Sequence, residues 1–238
     1  MNARLEQERL AALRAFRALD SAPEPIFDNL TELAAWSCEA PTALVSLVDE
    51  WRQWFKARVG LDASETPREV AFCDHAVRQD DVMVVEDAAL DDRFRGNPLV
   101  TGVPHIRFYA GALLRTRDGH MLGTLCVIDY RPRTLTAAQR AALVMLARQV
   151  MTLLEFRKVS LEMADVLDEL AELRRLVPVC AWCRNIRDDE GFWHRVDRYI
   201  EHHTMHEVTH GICPSCAAAV KNGGEKEPHT ADCTQSKQ

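Results

Sequence analysis

Two strand-like runs, Ile106–Arg115 and His120–Asp129, stand on either side of Asp118-Gly119. Apolar runs of this length around an Asp-Gly dipeptide specify a β-hairpin. A two-residue connection needs positive φ, and Asp-Gly is among the few pairs that accept it, so a type I′ turn is expected. A second hairpin is expected upstream. Ala43–Val48 is an apolar run bounded by Pro41 and Asp49-Glu50, and Gln53–Val59 follows it. Val82–Val85 adds a short strand. Leu10, Leu13, Phe16 and Leu19 recur at spacing three, which predicts a helix that Ser21-Ala-Pro-Glu-Pro25 breaks. Ile26, Leu30, Leu33, Ala34 and Ser37 predict a second helix, and Phe72–Val77 a short one. Gly60–Val70 and Asp91–Val103 read as loops. Thr136 with Gln139 three residues on forms a capping box that opens a long helix. Hairpins bracketed by helices predict an α+β fold, an antiparallel sheet with helices on one side.

The long helix has a second property. Val159, Met163, Val166, Leu170, Leu173 and Val177 are spaced 4, 3, 4, 3 and 4, the 3.5-residue repeat of a coiled-coil seam. A helix from Thr136 to Leu176 is on the order of 60 Å long. One small domain does not cover that length, so a homodimer through the 136–177 helix is expected, with parallel and antiparallel pairing both open.

The 238 residues fit one to two domains, with 47% hydrophobic and 27% charged residues. Lys+Arg number 29 and Asp+Glu 36, a net charge of −7, so no basic field draws nucleic acid or anionic lipid. No apolar run approaches the roughly 18 residues of a membrane helix. The first ten residues mix both charges where a signal peptide is apolar. A cytoplasmic location is expected, and the eight cysteines are then read as thiols or metal ligands before disulfides.

Cys180-Ala-Trp-Cys183 and Cys213-Pro-Ser-Cys216 are two C-x2-C pairs separated by 29 residues. A two-residue gap lets both thiolates of a pair enter one tetrahedral site, and two pairs complete a structural zinc site. Phe192, Trp193, Val196, Tyr199 and Ile200 make an apolar face too small to fold without a staple, with Asp188–Gly191 as a turn and Trp193–His203 as a short helix. Two disulfides, an iron or iron–sulfur site, or His210 in place of one sulfur are the rival readings. From Pro178 to Gln238 seven basic residues face nine acidic ones, which disfavours nucleic acid. Beyond Lys221 the tail has little to bury and is expected to be disordered.

Cys73 precedes Asp74-His75, and a nearby imidazole lowers a thiol pKa. Cys126 sits in Gly123-Thr-Leu-Cys-Val-Ile-Asp129, where buried cysteine is common. The loop between Arg93-Phe-Arg-Gly-Asn-Pro98 and Pro104-His-Ile-Arg-Phe-Tyr109 has the length of a pocket lid. No catalytic triad, phosphate loop or metalloprotease motif is present, so no catalytic residue is assigned and the chain is not expected to be an enzyme.

Residues 8–157 resemble a GAF domain of bacterial signalling proteins. The resembling stretches are Ala71–Val77, Val84–Ala88, Asp92-Arg-Phe94 with Asn97-Pro-Leu-Val100, Arg107-Phe-Tyr-Ala-Gly111 and Gly123–Asp129. The resemblance implies helices on one face of the sheet, a small-molecule pocket on the other, a sensory role and dimerisation through flanking helices. Phe72, Cys73, His75, Asn97, Phe108 and Tyr109 are the residues expected to bind the ligand. The Asn-Lys-Phe-Asp-Glu pattern of cyclic-nucleotide-binding members is absent, and bilin-attaching members place a cysteine in a different motif. Residues 178–218 resemble a cysteine-rich tail that follows sensor or receiver domains, and no kinase, cyclase or DNA-binding output domain fits in the remaining residues. The expected layout is a GAF-like sensor (1–157), a coiled-coil linker helix (158–177), a four-cysteine zinc module (178–220) and a tail (221–238). The function expected is a cytosolic sensor or adaptor that binds an unknown small molecule or partner and presents the result to an unknown signalling protein. A GAF-type thiol enzyme using Cys73 and Cys126, and a zinc-ribbon regulator linked to transcription, are the alternatives.

Overall fold

A computed structural model describes residues 3–174, 177–188, 190–203, 207–209, 211, 212, 214, 217 and 221. Two compact units are present, Met1–Met163 and Ala164–Gln238.

The first unit opens with helices α1 (Ala3–Ala15) and α2 (Pro25–Cys38). Pro25 sits in the first turn of α2, where its missing N–H is not needed. Glu39 then ends α2 in the left-handed region at φ 51°, its N–H returning to the last turn. Strands β1 (Thr42–Val48), β2 (Arg52–Val59) and β3 (Glu65–Pro67) follow. After a 3-10 turn at Arg68–Val70 come α3 (Phe72–Ala76), β4 (Met83–Val85), α4 (Pro98–Thr101), β5 (Phe108–Arg115) and β6 (Met121–Asp129). The 38-residue α5 runs from Ala137 to Arg174. All pairings in this six-stranded sheet are antiparallel, in the order β3-β2-β1-β6-β5-β4. The α+β class and the long helix are therefore as the sequence predicts.

Alternation along the strands builds two apolar cores, one on each face. Ala43, Val45 and Leu47 of β1, Phe108, Ala110 and Ala112 of β5 and Leu125 and Val127 of β6 pack with Leu13, Phe27, Ala34, Leu143, Val150 and Leu154 of the long helices. Their strand neighbours Leu44, Val48, Tyr109, Cys126 and Ile128 face the other way, onto Phe72, Ala76, Phe94 and Val100 of the α3 and α4 region. Helices thus cover both faces, the three long ones together on one.

The predicted capping box is present. Gln139 N donates to Thr136 Oγ1 at 3.2 Å and Thr136 N to Gln139 Oε1 at 3.1 Å. The β5–β6 turn differs from expectation. Gly119 has φ 89°, but Asp118 is not in the left-handed region, so the turn is not type I′. Gly119 N donates to Thr116 O and Thr116 N to His120 O, which makes a longer connection with one left-handed residue before the strand resumes. The two predicted loops also hold short elements, β3 in one and α4 in the other, each too brief to show a period.

In the second unit, β7 (Ile186–Arg187) and β8 (Trp193–His194) form a small antiparallel hairpin, and α6 (Val196–His203) follows. Trp193 and His194 are thus strand residues rather than the start of the predicted helix. Cys213, Cys216, His210 and residues 222–238 lie outside the described residues.

Gly123 lets β1 and β6 approach closely. A Cβ there would lie 1.9 Å from Ser46 O and 2.9 Å from Leu47 Cα, both backbone atoms that do not yield easily. Gly123→Ala is expected to destabilise the first unit by about 3 kcal/mol or more, measured as a shift in the urea unfolding midpoint.

Candidate functional site: a buried thiol pair under an aromatic cap

Two turns of sequence logic place Cys73 against Cys126. Ala71 is extended and Phe72 starts α3, so Cys73 points from the first turn of that helix toward the sheet. On β6, Thr124 and Cys126 are two residues apart and share a face. Ser46 pairs with Thr124 across β1–β6, which brings a second hydroxyl to the same face. Cys73 Sγ and Cys126 Sγ are 3.8 Å apart, and both residues are buried.

Cys73 is the acceptor of this cluster. Thr124 Oγ1 donates to its sulfur at 3.0 Å and Tyr109 OH at 3.2 Å. Ser46 Oγ faces the same sulfur without completing a hydrogen bond of ordinary geometry. Burial alone would raise the Cys73 thiol. Hydrogen bonds from Cys126, Thr124 and Tyr109, together with the Ser46 hydroxyl that faces the sulfur, outweigh it and bring the group down to about 7. Cys126 moves the other way, raised because its proton is held on Cys73 and because it is buried. Tyr109 is raised by burial and by the two neighbouring sulfurs. The pair is thus split into one acidic thiol and one that keeps its proton.

Gly111 makes this geometry available. The Tyr109 ring lies back across β5, and a Cβ at position 111 would sit 2.3 Å from the Tyr109 hydroxyl. Phe72 and Phe94 stack at 4.1 Å with planes 9° apart, Phe72 stacks on Tyr109 at 5.3 Å, and His75 meets the edge of Phe94 at 4.8 Å. This aromatic group fills the face on which the small-molecule pocket was expected. His75 is half-buried, and burial lowers its pKa. Two open grooves of the unit lie elsewhere: about 880 Å³ beside Trp36 and Tyr130, and about 570 Å³ beside Arg115 and Met151.

Of the six residues expected to bind a ligand, Phe72, Cys73, His75 and Tyr109 come together here. Asn97 sits at the edge as a brace. Its Oδ1 caps α4 by accepting from Leu99 N at 2.9 Å, and its Nδ2 donates to Val70 O at 3.0 Å. Phe108 is not brought to the site. It neighbours Tyr109 in a strand, so it faces the long helices, where the Arg133 guanidinium lies 5.3 Å from its ring. Thr124, Ser46, Phe94 and Gly111 were not singled out from sequence, although two-residue alternation from Cys126 marks Thr124.

An ion-pair chain ties the cap to the N-terminal helix. Asp74, next to Cys73, accepts from Arg68 Nε at 2.7 Å, and Arg68 NH1 donates to Glu6 Oε1 at 2.6 Å. Glu6 also takes two bonds of 2.8 Å from the buried Arg9, which caps Val48 O at 2.7 Å. Burial would raise the Glu6 carboxyl, but Arg9 and Arg68 hold it at about 2.

In the second unit, Cys180 and Cys183 sit in a tight loop. Cys180 N donates to Asn185 O at 2.8 Å and Arg184 N to Cys180 O at 3.0 Å, with Arg184 left-handed at φ 63°. Backbone N–H groups of Cys183 and Trp182 lead the causes that lower the Cys180 thiol pKa. Among the described residues no group of three metal-ligating side chains converges.

The GAF domain family profile matches residues 22–154, more than half of the chain. The chain belongs to the GAF-domain family. A protein of Pseudomonas aeruginosa named as a cyclic di-GMP phosphodiesterase is 45% identical over 128 residues, 54% of this chain and 22% of that relative. The chain therefore spans about a fifth of that relative's length. Similar solved structures include the GAF domain of an Acinetobacter phosphoenolpyruvate-protein phosphotransferase (17% identity, 67% of this chain, 98% of that chain, TM-score 0.47). Another is a type II free methionine-R-sulfoxide reductase of Thermoplasma acidophilum (14% identity, 55% of this chain, 90% of that chain, TM-score 0.46). The expectation that the chain is not an enzyme is corrected by the Pseudomonas relative, which carries an enzyme's name and shares 128 aligned residues with this chain. Missing motifs do not decide the matter, because the Pseudomonas relative that shares 128 residues with this chain is named for catalysis. No helix among the described residues is long and apolar enough to cross a membrane.

Tyr109→Phe removes one donor from Cys73. Its thiol is expected to titrate about one pH unit higher, read from the pH dependence of its alkylation rate. Glu6 has a folded pKa below its ordinary 4.5, so its stabilisation is complete above that value and disappears as pH falls to about 2. Glu6→Gln is expected to cost about 1–2 kcal/mol at neutral pH in urea unfolding, and the difference from the parent should vanish near pH 2.

Proposed function

We propose that this GAF protein is a sensory module of bacterial signalling, in which the first domain receives a stimulus and the long helix relays it to a partner. The layout of this reading is a sensor over 1–157, a linker helix over 158–177, a metal module over 178–220 and a tail over 221–238. The stimulus acts at the α3 face, through Phe72, Cys73, His75, Asn97 and Tyr109. A small ligand there must displace the aromatic cap, and α3 with Asp74 moves with it. A ligand biases such a switch only by binding its two states with different affinity.

The observation that carries the relay is on α5. Leu143, Ala147, Val150 and Leu154 are buried on one side. Phe156 at 71% exposure, Val159 at 60%, Met163, Val166 and Leu170 stand in the open at spacing 3, 4, 3, 4. That row extends the predicted seam back to Phe156. Its occupant in this reading is α5 of a second copy, since a repeat of 3.5 is what two like helices bury against each other.

The Cys180–Arg184 loop supports a structural zinc held by Cys180, Cys183, Cys213 and Cys216. Its backbone N–H groups face the Cys180 sulfur and favour the thiolate that a metal needs. Zinc would supply a staple for a segment with little core of its own, Ile186 being its buried apolar residue among those described. A nucleic-acid partner is disfavoured by the net negative charge, and the downstream partner is a protein.

Native mass spectrometry tests both parts. A dimer with one zinc per chain is expected. Val159→Asp with Met163→Asp should raise the dimer dissociation constant at least about a hundredfold and leave the first unit's unfolding midpoint unchanged. A monomeric parent chain overturns the relay. A chain carrying disulfides among Cys180, Cys183, Cys213 and Cys216 and no metal overturns the module.

A further inference from the structure

We infer that Cys73 and Cys126 form a peroxide-responsive thiol–disulfide switch inside the first domain. The inference deepens the sensory reading by naming its stimulus, a hydroperoxide. The geometry comes first. The sulfurs are 3.8 Å apart, and a disulfide needs about 2.05 Å, so rotation of two short side chains and a small descent of α3 close the gap. The two cysteines come from different elements, α3 and β6, so the bond would tie a five-residue helix to the central sheet.

The surroundings suit each sulfur to a separate role. Cys73 accepts hydrogen bonds from Thr124 and Tyr109, donors that hold it as a thiolate, the nucleophilic form. An attacking thiol works best with a pKa near ambient pH, and Cys73 lies at about 7. Cys126 retains its proton and serves as the resolving thiol.

The Cys73 thiolate attacks the terminal oxygen of the hydroperoxide. The O–O bond breaks, the terminal hydroxyl stays on sulfur so that Cys73 becomes a sulfenic acid, and the alkoxide or hydroxide takes up the proton that the Cys73 thiol had released and leaves as alcohol or water. Cys126 then attacks the Cys73 sulfur, the S–O bond breaks, and water departs with the Cys126 proton. Two thiols lose two electrons in total, and the peroxide gains them. A small dithiol reverses the change by exchange, ending oxidised itself.

Access requires α3 to open. A five-residue helix has little stability of its own, and here it is held by the Arg68–Asp74 pair, the Phe72 stack and the Asn97 brace to Val70. Oxidation would in turn act on the same holdings. Cys73 is adjacent to Asp74, so drawing α3 toward β6 strains the bond from Asp74 to Arg68 and, through it, the bond to Glu6 of α1.

The test uses the full-length reduced protein, treated with hydrogen peroxide, denatured in N-ethylmaleimide, digested and mapped by mass spectrometry. A linked peptide joining Cys73 to Cys126 is expected, lost again on dithiothreitol treatment. In Cys126→Ser, dimedone should trap Cys73 as its sulfenic acid. Recovery of both residues as maleimide adducts while other cysteines oxidise overturns the switch, as does pairing of either with a different cysteine. Thr124→Val keeps volume and removes a donor. It is expected to slow link formation about tenfold at neutral pH with an unchanged circular dichroism spectrum, and an unchanged rate overturns the role given to the buried hydroxyls. A monomeric chain that forms the link sinks the helix relay and leaves the switch standing, so the two failures are distinct.

Discussion

The pleat of β6, at the centre of the sheet with β1 on one side and β5 on the other, is what the rest of this fold depends on. Its residues are committed alternately to two separate interiors. Leu125 and Val127 anchor the long helices, while Thr124 and Cys126 floor the thiol cluster. A slip of one residue in this strand would exchange the two sets, putting a hydroxyl and a thiol among helix side chains and branched apolar groups beneath α3. Gly123 protects the register by allowing the β1 backbone to come closer than any side chain permits.

Polarity inside the second core is tolerated because Thr124, Tyr109 and the two thiols satisfy one another, with Ser46 Oγ beside them the exception. Thr124, Tyr109 and Cys126 all direct hydrogen bonds to one sulfur, so a buried thiolate has partners rather than water. The same arrangement explains the close-packed aromatic cap. Phe72, Phe94 and Tyr109 exclude solvent from above, and charge is kept to the rim, where Asp74 and Glu6 are neutralised by Arg68 and Arg9. The sheet face on which a ligand pocket was expected is occupied by the protein's own side chains.

Much of the architecture was legible in residue order. Periodicity and turn chemistry give the two hairpins, the break at Ser21–Pro25 and the capped start of α5, since each rests on neighbours in sequence. What escaped was short or non-local. β3 and α4 are too brief for a period. The conformation of Asp118 depends on where the strands stop pairing rather than on the dipeptide. At the site, Phe72, Cys73 and Tyr109 were within reach as motif residues, but Phe108 and Tyr109 were placed on one face although adjacent strand residues oppose each other. The hydroxyls of Ser46 and Thr124 became visible with the β1–β6 register, which no single-strand pattern contains.

The exposed apolar row of α5 obeys a period different from the turn of the helix, and that difference has a mechanical result. The helix itself turns every 3.6 residues, whereas its outer apolar row from Phe156 to Leu170 repeats every 3.5. A straight helix lets such an outer row wander around its axis by roughly 20° per heptad, hence about 40° over that stretch. Any companion rod must therefore wind left-handed around it, and a change in tilt at the sheet end would reach the far end as rotation rather than as displacement along the axis.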